Sequence, residues 1–275
     1  MRRFIFAVLM WLASQTTAWT WGQEGHSIVG EIAQRRLSNE TLTAIVELLG
    51  SGVSLASISN WADDERSRDQ RTSRWHFVDI PLAANDYVAA RDGTPNPEQG
   101  DCIVAAIARD LGGVACSAKP MAERRRALFF LVHFLGDLHQ PLHSIKEDRG
   151  GNDIKATIVV RNGANGSAAE DTNFHSAWDS GLIRKLAWSW GSYVDRREQD
   201  WLPSASTSLT DGAVESWALE THRAAIDLFG IQPPNGLFDD AYLVKVRPVL
   251  DRQLSVAGIR LAKLLNDAFA QKRCE

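Results

Sequence analysis

Two copies of one four-residue spacing stand out among the seven histidines of this 275-residue chain. His133 and Asp137 in HFLGD, and His175 and Asp179 in HSAWD, each set an imidazole four positions before a carboxylate. On a helix that spacing aims both groups at one face. The first pair continues through His139 and Pro141 to His143, and the proline ends the helix and lets His143 turn back toward that face. Imidazole nitrogens and carboxylate oxygens directed into one apolar site are what zinc binds. A lone histidine on an apolar helix is more often a satisfied core residue, and a single His-x-x-x-Asp pair is weak evidence. Two pairs and a further histidine, framed by Leu128, Phe129, Leu131, Val132, Phe134 and Leu135, weigh more. Burying so many ionisable groups without a metal is costly.

The elements that must position these groups read as mostly helical. Residues 26–37 carry apolar side chains at helical spacing, and Ser38 caps a second helix that ends at Gly50. Residues 54–64 and 101–111 read as shorter helices, and 72–81 as extended or irregular. Residues 121–137 are apolar nearly all round, the pattern of a central buried helix. Residues 173–186, 213–229 and 240–269 complete the helical set. The best strand signal is IKATIVV at 154–160, next to a polar stretch at 161–171 read as loop; 86–100, rich in Gly, Pro, Asn and Asp, also reads as loop. No repeat or linker divides the chain. The expectation is a mainly α, single multi-helix domain with a small β-hairpin or short strands.

The N-terminus begins with Met1-Arg2-Arg3 and a ten-residue apolar run, FIFAVLMWLA, then polar residues and Ala18. This reads as a cleaved signal peptide over residues 1–20, too short to span a bilayer, and hence as a secreted or periplasmic protein. Loss of Arg2 and Arg3 takes the formal charge from −4 to −6. Such a balance argues against gripping nucleic acid through a broad basic surface, so a phosphate-bearing substrate needs a local positive centre such as a metal cluster. Cys102 and Cys116 flank a short segment and could close a small loop, with Cys274 near the end free or frayed.

Six blocks in one order resemble the S1/P1 nuclease family: WGQEGH at 21–26, SNWADDER at 59–66, WHFVD at 75–79, FLVHFLGDLHQPLH at 130–143, GGN at 150–152 and HSAWD at 175–179. The resemblance implies a domain over 21–275 that holds three zinc ions. One is held by Asp63, His76, His133 and Asp137. The second is held by the α-amine and carbonyl of a mature N-terminal Trp21, with His26 and Asp137 as shared bridge. The third is held by His143, His175 and Asp179. A cut after Ala18 also satisfies small-residue rules, but a cut after Thr20 leaves Trp21 first, with the family spacing to His26. Cleavage then creates a metal ligand, because the terminal amine binds once deprotonated.

The implied function is hydrolysis of single-stranded DNA and RNA to 5′-phosphorylated nucleotides, with 3′-nucleotidase activity, by a zinc-bridging hydroxide that attacks phosphorus in line. Asp63 orients the nucleophile, and Arg66 either stabilises the transition state or forms a surface ion pair. Phe77 and Asp79 match residues that stack on and hydrogen-bond a base. Asn152 contacts substrate or holds a turn. Arg149 stands where the family often has an apolar stacking residue, and either stacks through its flat face or binds a second phosphate. His139 is read as an outer neighbour of the cluster or a helix-surface residue, and His222 as structural or exposed. The expected enzyme is a monomer with no membrane insertion. Two alternatives remain. A zinc-dependent phospholipase C shares the fold but typically ends its ligand set with Glu where this chain has Asp179. A non-catalytic exported zinc protein sits poorly with a ligand set lacking cysteine.

Overall fold

A computed structural model describes residues 21–161, 166–187, 189–233, 235–271 and 274. The signal-peptide reading of residues 1–20 lies outside them. The helices are α1 (Gln23–Gln34), α2 (Asn39–Leu49), α3 (Leu55–Ile58), α4 (Trp61–Arg68), α5 (Ala89–Asp92), α6 (Ile103–Val114), α7 (Met121–Leu138), α8 (Asp148–Gly151), α9 (Phe174–Ser176), α10 (Leu182–Leu186), α11 (Trp190–Asp200), α12 (Val214–Gly230) and α13 (Asp240–Gln271). The strands are β1 (Lys155–Arg161), β2 (Ser167–Asn173) and β3 (Leu237–Phe238), in the order β2-β1-β3. The chain is thus a mainly helical domain with a small sheet, as the pattern predicts.

Local chemistry starts and stops these elements where the site needs them. Ser38 accepts from the Thr41 amide and opens α2; Ser54 and Ser57 form a capping box on α3. From Ala127 onward α7 is buried almost continuously, including His133 and Asp137, and it packs against α1, α4, α6 and α13. Gln140 then caps a 3₁₀ turn, Pro141–Ser144, by accepting from the Leu142 amide, and that turn carries His143. The Asn173 side chain accepts from the Ser176 amide and starts the turn that carries His175, which runs through a π turn, Ala177–Gly181, bearing Asp179.

The structure differs from the sequence reading in several places, among them the short helix α5 within the 86–100 loop and the split of 54–64 into α3 and α4. In the stretch 161–171 read as loop, residues 161 and 167–171 are strand, because Ser167–Asn173 pairs antiparallel with the whole of β1 and Ala156, Ile158 and Val160 face the core. The segment before Phe77 is a 3₁₀ helix, Gln70–His76, and only residues 77–80 are extended. Trp190–Asp200 is a helix that its polar composition concealed. A Cys102–Cys116 loop does not form; the disulfide is Cys116–Cys274. The reason is length: Cys102 stands at the N-cap of α6 and Cys116 beyond its C-cap, so 12 helical residues hold them apart. At 1.5 Å per residue that is about 18 Å, far beyond disulfide reach. Cys102 is buried beside the Tyr87 hydroxyl.

Candidate metal centre

Three groups of side chains bring ligand atoms within 4.8 Å of one another: His26, Asp63 and His133; His76, His133 and Asp137; and His143, His175 and Asp179. Each sits on a separately anchored element. α1 brings His26, α4 Asp63, the 3₁₀ helix His76, α7 both His133 and Asp137, the turn after it His143, and the segment after β2 His175 and Asp179. All of the His and Asp residues expected as ligands are therefore together, although His26 groups with Asp63 and His133 as well as approaching Asp137. Trp21 is fully buried near His26, and the Gly22 amide donates to the Asp179 carbonyl at 2.7 Å.

Asp137 lies between the groups. Its Oδ2 is 2.9 Å from His76 Nδ1 and 3.1 Å from His133 Nε2, while Oδ1 is 3.4 Å from His26 Nε2 and 3.5 Å from His143 Nδ1. Burial acts to raise its carboxyl, but His133 and His143 outweigh that and hold it well below the usual carboxylate range. Burial in turn pushes His76 down to about 4 and lowers His26 and His175. Neutral imidazole is the form that ligates a metal.

Three rings are fixed by the backbone. His133 Nδ1 donates to Ser59 O at 2.7 Å, His143 Nδ1 to His76 O at 2.9 Å, and His175 Nδ1 to Gly150 O at 2.7 Å. This leaves each Nε2 for a metal or a proton, and those nitrogens converge; burial lowers His133 and His143, but the carboxylates beside them, Asp137 above all, outweigh it and draw both upward when no metal is bound. His143 and His175 face each other Nε2 to Nε2 at 3.1 Å, and His133 Nε2 stands 3.1 Å from His76 Nδ1. Buried lone pairs aimed at one another are unfavourable unless a cation or proton lies between them. His76 Nε2, Asp137 Oδ1 and Asp179 Oδ2 are buried and make no hydrogen bond. The residues present therefore fit metal ions, and the backbone carbonyls supply the outer contacts that orient metal-ligating histidines.

Two glycines make room for this arrangement. A Cβ on Gly136 would lie 2.7 Å from His26 Nδ1. Gly150, at φ 65°, would drive a Cβ into the Leu142 carbonyl, and its own carbonyl is the one that fixes His175. Sequence reasoning missed Gln140, whose fully buried amide donates to Asp179 Oδ1 at 2.5 Å. Its place inside HQPLH was the available signal. It also missed Arg74 and Lys146, which lie outside any spacing pattern.

The cluster opens into a cavity of about 500 Å³ whose wall includes His76, His143 and His175. The remaining expected site residues meet there: Arg66, Phe77, Asp79, Arg149 and Asn152 all line it. Arg66 also pairs with Asp63 at 3.3 Å, the ion pair that one of its two readings expects. Arg149 follows Asp148 in the left-handed region, at φ 52° and 48°, and its exposed guanidinium is bound by Asp153. Asn152 holds that turn by donating to the Arg149 carbonyl at 2.8 Å. His139 and His222 are both fully buried and stand outside the cavity wall.

The comparisons agree with this geometry. The model of the S1/P1 Nuclease family matches residues 21–270, starting at Trp21. The chain is 30% identical to Endonuclease 2 of Arabidopsis thaliana over 90% of both chains. It is 32% identical to Nuclease P1 of Penicillium citrinum over 72% of this chain and 70% of that one. It is 28% identical to Nuclease S1 of Aspergillus oryzae over 93% of this chain and 94% of that one. With buried His/Asp groups on a helical frame and a family match over nearly all of its described length, the chain belongs to the S1/P1 nuclease family.

Proposed function

We propose that this protein is an exported, zinc-dependent phosphodiesterase that hydrolyses single-stranded DNA and RNA to 5′-phosphorylated nucleotides and also removes 3′-phosphates from mononucleotides. The observation that supports it most is the convergence of imidazole lone pairs and carboxylates at the floor of a cavity of nucleotide size. The donor set of His and Asp, without cysteine, suits open catalytic zinc sites. Zinc bound there supplies a Lewis acid for phosphate oxygens and makes hydroxide available near neutral pH.

The chain's own groups do the rest. Asp63 accepts from the attacking water and aligns it with phosphorus. Arg66, held 3.3 Å from Asp63, donates to the phosphate oxygens as negative charge builds on them. Phe77 offers a face on which an unstacked base rests, and Arg149 at the rim contacts the next phosphate or base. Single strands are preferred because a paired base does not reach that face.

Export follows from the signal-peptide pattern of residues 1–20 and is supported by the Cys116–Cys274 disulfide. No helix among the described residues is long and apolar enough to cross a membrane. Cleavage after Thr20 exposes the Trp21 amine as a zinc ligand, and the family match starting at Trp21 supports that position. A protein that starts at Trp21 is expected to cut single-stranded DNA and RNA and to leave phosphatidylcholine intact. One extra residue ahead of Trp21 is expected to remove one zinc equivalent and most turnover. Equal zinc content and turnover in the two forms would refute the terminal-amine ligand, and hydrolysis of the lipid alone would refute the nuclease.

A further inference from the structure

Two segments leave the histidine cluster side by side and in the same direction. One runs from His76 to Ile80 and the other from His143 to Lys146. They are tied at both ends: the Val78 amide donates to the His143 carbonyl at 2.8 Å, and the Lys146 amide to the Ile80 carbonyl at 3.0 Å. Val78, Ile80 and Ile145 are buried, so the core holds both backbones in place. Each segment starts with an imidazole of the cluster and reaches a charged residue on the cavity wall, Asp79 on one and Lys146 on the other. From His76 to Asp79 is three extended steps, about 10 Å at 3.3 Å per residue. The cavity therefore has a metal end and, that far from it, a second charged end.

The other cations on this wall are already paired. Arg66 lies 3.3 Å from Asp63, and the Arg149 guanidinium is bound by Asp153. Lys146 is exposed and, among the described residues, its ammonium has neither an ion pair nor a hydrogen bond. Glu147, next to it in sequence, is turned away and accepts from the Leu82 amide at 2.8 Å. Asp79 has its own partner in Arg74, whose Nη2 donates to Oδ2 at 3.3 Å. Lys146 still acts on Asp79: burial pushes that carboxyl up, while Arg74 and then Lys146 favour its ionised form. A fixed backbone thus presents one uncommitted ammonium at the end of the cavity away from the histidines.

We propose that Lys146 is a phosphate subsite that takes the 5′-phosphate of the nucleotide whose 3′-phosphate lies at the cluster. The inference rests on the nuclease reading for the 3′ end and on the placement of Lys146 for the 5′ end. A nucleoside carries these two phosphates on opposite sides of one sugar. With one held among the histidines, the other points away from them, toward the end where the paired segments place Lys146. An ammonium is a compact point charge with three donors, which suits a phosphate that arrives in varied orientations. In a chain of formal charge −4, such a local cation decides where a strand's backbone is drawn in. Internal nucleotides of a strand, and nucleotides that carry a 5′-phosphate, fill the subsite. A nucleoside 3′-monophosphate and the 5′-hydroxyl end of a strand leave it empty. The pocket is thereby biased toward strands over mononucleotides, and Lys146 acts on that selection rather than on bond cleavage.

The test compares adenosine 3′-monophosphate with adenosine 3′,5′-bisphosphate as substrates of the zinc-loaded protein beginning at Trp21, with release of the 3′-phosphate read as kcat/KM. That ratio is unaffected by bisphosphate bound the wrong way round, which lowers kcat and KM together. The bisphosphate is expected to be favoured about fivefold at low salt, the size of a contact to an exposed ammonium, and the advantage to shrink as salt rises. Lys146→Met is expected to bring the two substrates level, and Lys146→Arg to keep most of the difference. Equal kcat/KM values in the wild type, or a preference that survives Lys146→Met, would overturn the subsite. Calorimetric binding of the same two compounds separates this inference from the one it rests on. A protein that binds the bisphosphate more tightly through Lys146 yet hydrolyses neither compound refutes the nuclease and keeps the subsite. One that hydrolyses both alike does the reverse.

Discussion

Two buried histidine clusters flank the C-terminal end of α7, and they solve the same problem differently. On one side, His139 is fully buried and uses both ring nitrogens: Nδ1 donates to the Leu135 carbonyl at 2.8 Å, and Nε2 accepts from Arg260 Nη1 at 2.9 Å. Arg260 continues to Glu220 and lies over the Trp217 ring. Burial, reinforced by Arg260, holds His139 neutral, with its pKa lowered to about 3. On the other side, His133, His143 and His175 use the same Nδ1-to-carbonyl device, but their Nε2 atoms meet other nitrogens and carboxylates. Burial alone does not distinguish a ligand from a core histidine. What the second nitrogen faces does: a donor closes the account in the protein, and another acceptor calls for a cation.

That contrast can be broken most sharply at Asp137, whose two oxygens approach four histidines. Asp137→Asn is expected to cost at least about a thousandfold in phosphodiester hydrolysis and at least one zinc equivalent, measured by turnover and by elemental analysis of the dialysed protein. Full zinc content would remove Asp137 as a shared ligand.

The opposite cluster is expected to give the opposite result. Arg260→Leu leaves the buried His139 Nε2 without its donor while Glu220 keeps Arg252, at a cost of about 1–3 kcal/mol in unfolding free energy. Zinc content and kcat of the folded fraction are expected to stay at wild-type values. A loss of zinc in this variant would show that the two clusters are one system.

A third buried ionisable group sharpens the comparison with the smallest effect. Asp110 on α6 has Oδ2 without a hydrogen bond and Arg109 3.6 Å from Oδ1. Burial raises its carboxyl to about 6, against the opposing pull of Arg109. With the folded value above the unfolded one, the stability contribution is complete below about pH 4 and is lost as pH rises through about 6. Asp110→Asn is therefore expected to stabilise the protein by about 1–2 kcal/mol at pH 8 and to be neutral at pH 3.5, read from urea unfolding at both values. Zinc is not expected to alter that difference.

The clustered His and Asp residues were legible because metal binding restricts residue type, and because α7 converts a four-residue spacing into a shared face, as His133 and Asp137 show. The long helices were legible for the related reason that burial imposes a period. What stayed hidden depends on contacts far apart in sequence or on backbone shape. β2 is polar, Ser-Ala-Ala-Glu-Asp-Thr-Asn, and becomes a strand only through pairing with β1. Cys116 reaches Cys274 because α6 carries it away from Cys102 and α13 brings the C-terminus back. Arg74 finds Asp79 only because a 3₁₀ helix turns into an extended segment between them. His139 lies inside the central motif without being an expected ligand and His222 has no motif around it; the fold alone shows both as buried, with His222 Nδ1 donating to the Ser144 carbonyl beside His143.

The most direct test of the account is a zinc titration of the chelator-stripped protein beginning at Trp21, followed by cleavage of a single-stranded oligodeoxynucleotide. The stripped protein is predicted to be inactive, with cutting restored as zinc binds and levelling off at three ions per chain. Cutting that survives complete removal of metal, or a protein with three zinc ions bound that leaves the strand intact, would contradict it.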